Sequence, residues 1–210
     1  MSPRIEPLTA EKLDDEALAA LNAGFPGARD TFLSDAPDAP PLPTVLGLML
    51  NHPKLAAPWF AFNNVLLRDP SITARQRELA ILRVAWRARG TYEWLQHVRL
   101  GQQAGITDAE VEAITVGADA GSWSALEAEI LRATDELFDD ARITDDTWKR
   151  LSEHFDTRQL MELTFVVGSY LTLAFVFNSA DLPLDEGLDP GNIPVPRRGT
   201  SVSERPEMED

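Results

Sequence analysis

The sequence has no cysteine in its 210 residues. Disulfides, thiolate metal sites and thiolate nucleophiles are therefore excluded. Histidine is scarce: His52, His97 and His154 are scattered, so no metal site is expected. Long uncharged apolar runs are also missing. The most apolar stretch, Leu163 to Phe177, contains Thr, Gly, Ser and Tyr and reads as too short for a bilayer span. No basic segment followed by an apolar core opens the chain, so no secretory leader is expected and the cytoplasm is the expected compartment. Basic residues are outnumbered 19 to 34, giving a net charge of −15, which argues against nucleic acid or an anionic membrane as partner.

What is there suits one helical domain. The chain is 44% hydrophobic and 25% charged, ordinary for a globular protein. Apolar residues recur at helical spacing in segment after segment, which predicts an all-α fold of about seven or eight helices. Residues 1 to 8 read as loose. Thr9 to Asn22 reads as a helix capped by Thr9, and Thr44–Leu50 and Pro53–Leu67 as two helices split at Asn51–His52–Pro53. Four prolines between Ala36 and Pro43 make a stiff loop. Later helices are expected over Asp108–Val116, Ser124–Phe138, Thr144–Phe155 and Asp156–Ala180, with Thr107 and Glu110 forming a capping box. One domain is expected over residues 1–182, with its core in 43–182. From Pro183 the composition turns to Pro, Gly and charge, predicting an extended or disordered tail to Asp210. Its Ile193–Pro196 stretch suits a strap across a neighbouring subunit.

The informative stretch is RQRELAILRVAWRARGTYEWLQHVRLGQQA, Arg75 to Ala104. It reads as a helical hairpin broken at Gly90. On the first arm Leu79, Leu82 and Trp86 form an apolar stripe bordered by Glu78, a carboxylate unlikely to be fully solvated there. On the second arm Glu93 and His97 are four apart and share a face. If the hairpin closes, Glu78 meets both, giving an acid–base group around an imidazole. The bland alternative is a solvated Glu–His pair and an ordinary ion-paired Glu78. Residues 68 to 99 also hold seven arginines against three acids, about +4 in an acidic chain. Such an island suits a carboxylate substrate, with Arg83 or Arg87 as its holder. Its alternative is neutralisation of acidic helices at a subunit contact. Trp59 and Trp94 stand as pocket walls or as core. Around Glu162, TRQLMEL echoes ARQREL around Glu78, which reads as a worn internal duplication of the hairpin; the other reading makes Glu162 a buried partner for an arginine.

RELAILRVAW, YEW, His97 and AGITDAEVEAI together resemble the carboxymuconolactone decarboxylase family, which shares its all-helical fold with the AhpD alkylhydroperoxidases. Laid on the AhpD pattern, the glutamate falls on Glu78 and the histidine on His97, while the two cysteine positions fall on Gly90 and Glu93. Thiol peroxidase chemistry is thereby excluded. What the resemblance implies is a cofactor-free lyase acting on a small carboxylated lactone or related cyclic acid, as in aromatic degradation. His97 would donate the proton, Glu93 would set its tautomer and Glu78 would relay protons. The alternatives are lactone hydrolysis or isomerisation on the same scaffold, and a non-catalytic helical binding protein. The resemblance also implies a homo-oligomer, a trimer or hexamer.

Overall fold

The computed structural model describes residues 2–34, 39–121 and 123–196. The expected tail beyond 196 and part of the proline-rich loop lie outside them. Among the described residues there are ten α-helices and no strand: α1 (Asp15–Gly24), α2 (Ala28–Phe32), α3 (Thr44–Met49), α4 (Pro53–Arg68), α5 (Ala74–Arg87), α6 (Thr91–Gln103), α7 (Asp108–Val116), α8 (Ala125–Asp140), α9 (Asp145–Ser152) and α10 (Thr157–Ala180). The all-α expectation is met. Two short elements depart from the expected pattern. The first is α2, a little over one turn and too short to show periodicity. The other is a 3-10 turn, Ala10–Lys12, cut from the expected first helix. Thr9 makes no side-chain cap there. Asp14 accepts from the Ala17 N–H at 2.8 Å and starts α1 afresh.

Helix α5 is the hub, packed against α6, α7, α8 and α10. Every residue from Arg77 to Ala85 is buried, so the apolar stripe is in fact a helix enclosed all round. Each fully buried Leu or Ile there contributes about 1.5–3 kcal/mol. Its polar residues, enclosed with them, need partners. A second, smaller core lies between α1, α3 and α4, anchored by Leu21, Leu50 and Phe60.

Helix α10 runs unbroken through the position that would match Gly90, so the expected second hairpin is a single helix. Glu162 accepts the Ser71 and Ile72 backbone N–H groups at 2.7 and 3.2 Å, fixing the loop that enters α5. It is neither a relic acid–base group nor an arginine partner. By length and composition α10 also suits a bilayer span, contrary to expectation. Half of that window is buried inside the protein, and Leu163, Val166, Leu173 and Phe177 sit in the main core.

Both terminal segments are tied down. The Arg4 N–H donates to Ala180 O at 2.8 Å, and Leu8 N–H to Gly47 O at 3.0 Å, so residues 2–8 are not loose. The described part of the tail lies on its own chain as a strap. Asp185 accepts from Thr44 N–H at 2.7 Å, from the Tyr92 hydroxyl at 2.8 Å and from Gln96. Farther along, Thr91 donates to Pro196 O.

Candidate functional site

The hairpin closes as its sequence predicts. Thr73 and Gln76 form a capping box that fixes where α5 begins. At its other end Arg89 adopts a left-handed φ of +55°, and Gly90 caps α6. This antiparallel pair brings Glu78 and His97 together: Glu78 Oε2 lies 2.7 Å from His97 Nδ1. The carboxyl is 1% exposed and the histidine 9%. Arg77 donates Nε and Nη2 to Glu78 Oε1 at 3.3 and 3.2 Å, and Nη1 to Leu66 O. A carboxylate held by a guanidinium can only accept, so Nδ1 carries the hydrogen and the neutral imidazole keeps its lone pair at Nε2. Tyr170 of α10 meets the imidazole edge-on, with ring centroids 4.9 Å apart at 88°. Burial first, then the carboxyls of Glu78 and Glu93, push the Tyr170 phenol above its ordinary range.

His97 sits in the wall of a cavity of about 370 Å³ between α3, α4, α6 and α10. Val45, Met49, Trp59, Phe60, Leu173 and Phe177 give it an apolar body. Its polar lining includes Asn63, Glu93, Tyr170 and, toward the strap, Arg99 and Asp185. Glu93 lies one turn before His97, 2% exposed, and neither of its carboxyl oxygens has a hydrogen-bond partner. Burial pushes this carboxyl well above the usual carboxylate range. Among the described residues no group of three or more His, Asp and Glu is placed to hold a metal ion.

Residues 53–136 match the carboxymuconolactone decarboxylase family. Solved structures with the same fold include an uncharacterized peroxidase-related protein with an alkylhydroperoxidase AhpD core from Ralstonia eutropha JMP134. Its TM-score is 0.72 at 13% identity, over 89% of this chain and 94% of that one. A peroxidase-related protein from Silicibacter sp. TM1040 aligns with a TM-score of 0.69 at 15% identity, over 89% and 95% of the two chains. The debrominase Bmp8, bound to 2,3,4-tribromopyrrole, aligns with a TM-score of 0.66 at 13% identity, over 90% and 95%. Among curated proteins none matches. The match to the carboxymuconolactone decarboxylase family covers less than half of the chain, and the solved structures show that its fold is AhpD-like.

Some expected site residues assemble and others do not. Glu78 and His97 meet, Glu93 lines the same cavity, and Trp59 walls it. The role expected of Glu93 is corrected: Glu78 holds Nδ1 and sets the tautomer, because the acid across the hairpin reaches the ring and Glu93 makes no hydrogen bond. Arg83 and Arg87 do not face the cavity. Arg83 grips Asp135 with two nitrogens at 2.7 and 2.9 Å and donates to Ile114 O and Thr115 O. It can lie there because Gly117, at φ +109°, has no Cβ; one would come within 2.8 Å of its Nη2. Arg87 bonds Asp135 and Asp139, both at 2.6 Å, and lies over the Phe138 ring. Arg75 pairs with Glu127 and with Glu110, and the Glu110 carboxyl drops to about 2, the Arg75 hydrogen bond being the largest cause. Much of the cationic island thus neutralises acids of the chain's own α7 and α8. Trp94 is fully buried against Trp86, centroids 5.2 Å apart, and belongs to the core. Sequence reasoning missed Arg77, Asn63, Arg99 and Tyr170 as site residues. Arg99 was visible as one of the seven arginines, two residues past His97. Tyr170 was visible as a hydroxyl inside the most apolar run.

Proposed function

We propose that this chain is a thiol-independent acid–base enzyme, a cofactor-free lyase that decarboxylates a small carboxylated lactone or related cyclic acid. The observation that carries the reading is the 2.7 Å Glu78–His97 contact in the wall of a mostly apolar cavity. The volume of about 370 Å³ suits a single small ring. Arg99 at the cavity mouth, with its Nη2 on Gln96 Oε1 at 3.0 Å, replaces Arg83 and Arg87 as the group that recruits an anion. In the reaction the bond to the carboxylate breaks and CO2 leaves. Its electron pair enters the ring carbonyl system as an enolate. Nε2, protonated from solvent before the substrate reacts, then gives that proton to carbon and the ring returns to neutral, while Glu78 stabilises the transient positive ring and keeps Nε2 on the cavity side. The peroxidase-related neighbours lend the fold and not their chemistry, since this chain has no thiol to oxidise.

The test is a panel of carboxylated lactones followed for CO2 release and for ring opening. CO2 release that disappears in His97→Ala, with helical circular dichroism intact, supports the lyase. Ring opening without CO2 assigns a hydrolase on the same residues. Turnover unchanged in His97→Ala removes the imidazole from the mechanism.

A further inference from the structure

Among the described residues, Glu93 is the one carboxyl lining the cavity that has no hydrogen-bond partner. Its two oxygens are buried and unpartnered, although α6 carries His97 one turn away, α5 carries Arg77 and Glu78, and α10 carries Tyr170. The cation nearest in sequence to this group of acids, Arg77, is spent on Glu78 Oε1 and Leu66 O. His97 Nδ1 is spent on Glu78 Oε2. Arg99 and Asp185 stand at the mouth, where Arg99 donates to Gln96 and Asp185 takes Thr44, Tyr92 and Gln96. Among the described residues no cation or donor bonds Glu93, and an unpaired carboxylate is the least tolerable state in a buried apolar site. A buried carboxyl without partners also lacks a structural reason to be there, since a hydrocarbon side chain of its size would avoid an unmet polar group. Both facts have one resolution. The group is neutral, and its missing partner is the ligand.

We infer that Glu93 is a neutral carboxylic acid whose O–H donates to the carbonyl oxygen of the bound molecule, making it a catalytic residue distinct from the Glu78–His97 pair. The inference rests on the acid–base reading of this cavity and deepens it. The substrate class becomes a small ring with a carbonyl toward the floor at Glu93 and an anionic group toward Arg99. When charge develops on that carbonyl oxygen, the donor is already in place and loses no solvation. The two carboxyls then divide the work by environment: the one paired with Arg77 serves the imidazole, and the one left alone serves the substrate oxygen.

Infrared difference spectroscopy tests this without reading turnover. The free protein at neutral pH, compared with Glu93→Gln, is expected to show a carboxylic-acid C=O band that shifts in D2O, is absent from Glu93→Gln and survives in Glu78→Gln. With a γ-butyrolactone carboxylate bound, the lactone carbonyl band is expected at lower frequency in the wild type than in Glu93→Leu, which keeps the bulk and removes the donor. Where a carboxylated lactone is turned over, Glu93→Leu is expected to lower kcat about 100- to 1,000-fold, with KM little changed. Absence of the carboxylic-acid band overturns the neutral state. An unshifted lactone carbonyl, or no binding of the probe to wild type, overturns the donor role. A panel in which nothing is turned over sinks the lyase reading alone, because the infrared bands do not depend on catalysis.

Discussion

Glu93→Gln gives a stability measurement whose sign is fixed by the structure. In the folded protein the Glu93 carboxyl is raised well above its ordinary value by burial; in the unfolded chain it titrates near about 4.3. A group raised on folding supports the fold fully below its unfolded pKa. It loses that support as pH climbs toward the folded value. Between those two pKa values the unfolded chain releases a proton that the folded chain keeps. The wild type then loses about 1.4 kcal/mol per pH unit relative to the glutamine variant, which has nothing to titrate there. Two pH units in that window open a gap of about 2.7 kcal/mol. In a protein of this size about 1 kcal/mol moves Tm by about 2–4 °C. Melts of both proteins across acidic to neutral pH should converge at the acid end and fan apart as pH rises, Glu93→Gln melting higher by about 3–6 °C per unit. The remaining carboxyls are common to both proteins and cancel in the difference. Parallel melting curves would refute the buried neutral acid.

Arg83→Met leaves Asp135 half-paired and two carbonyls without their donor; it should cost about 3 kcal/mol in denaturant titrations while turnover per folded molecule stays the same. Arg99→Gln should raise KM for an anionic substrate several-fold and weaken the salt dependence of kcat/KM, with kcat unchanged, because this exposed guanidinium acts before chemistry. Glu162→Ala strips the acceptor from two backbone N–H groups and should cost about 2 kcal/mol, with faster amide exchange at Ser71 and Ile72.

The parts of the site that were legible in the sequence are those carried by local rules. The arms of the hairpin follow from periodicity and from the break near Gly90, and a hairpin's antiparallel pairing is enough to bring Glu78 to His97. Helices α7 and α9 begin where Thr107 and Thr144 predict, because a cap is a contact within one turn. Several misses are contacts at long range. Arg83 and Arg87 looked like substrate ligands because Asp135 and Asp139, about fifty residues on, carry no local sign of facing them. Trp94 and Trp59 have equal claims on a cavity until the packing of α5 encloses one and α3 and α4 leave the other at a wall. The pairing of Glu93 with His97 failed for a different reason. A shared helix face says that two side chains are neighbours, but an acid on the opposite arm can reach the ring in better alignment.

Position 93 is where the proposed acid–base site would depart from the AhpD pattern that the sequence resembles. On the AhpD pattern it is a cysteine position, and Gly90, the other, offers only backbone here. A buried thiol and a buried carboxylic acid share one property that a packed apolar wall requires: both are neutral at ordinary pH when nothing ionises them. Exchanging one for the other preserves the wall while changing what it can deliver, from a pair of electrons to a hydrogen bond or a proton. The Glu78–His97 contact needs no alteration for that exchange, since an oriented imidazole serves a thiol or a carbon acid alike. In the proposed reading position 93 delivers a hydrogen bond or a proton only while Glu93 keeps its own; an ionised Glu93 could only accept and would be a buried charge without a partner.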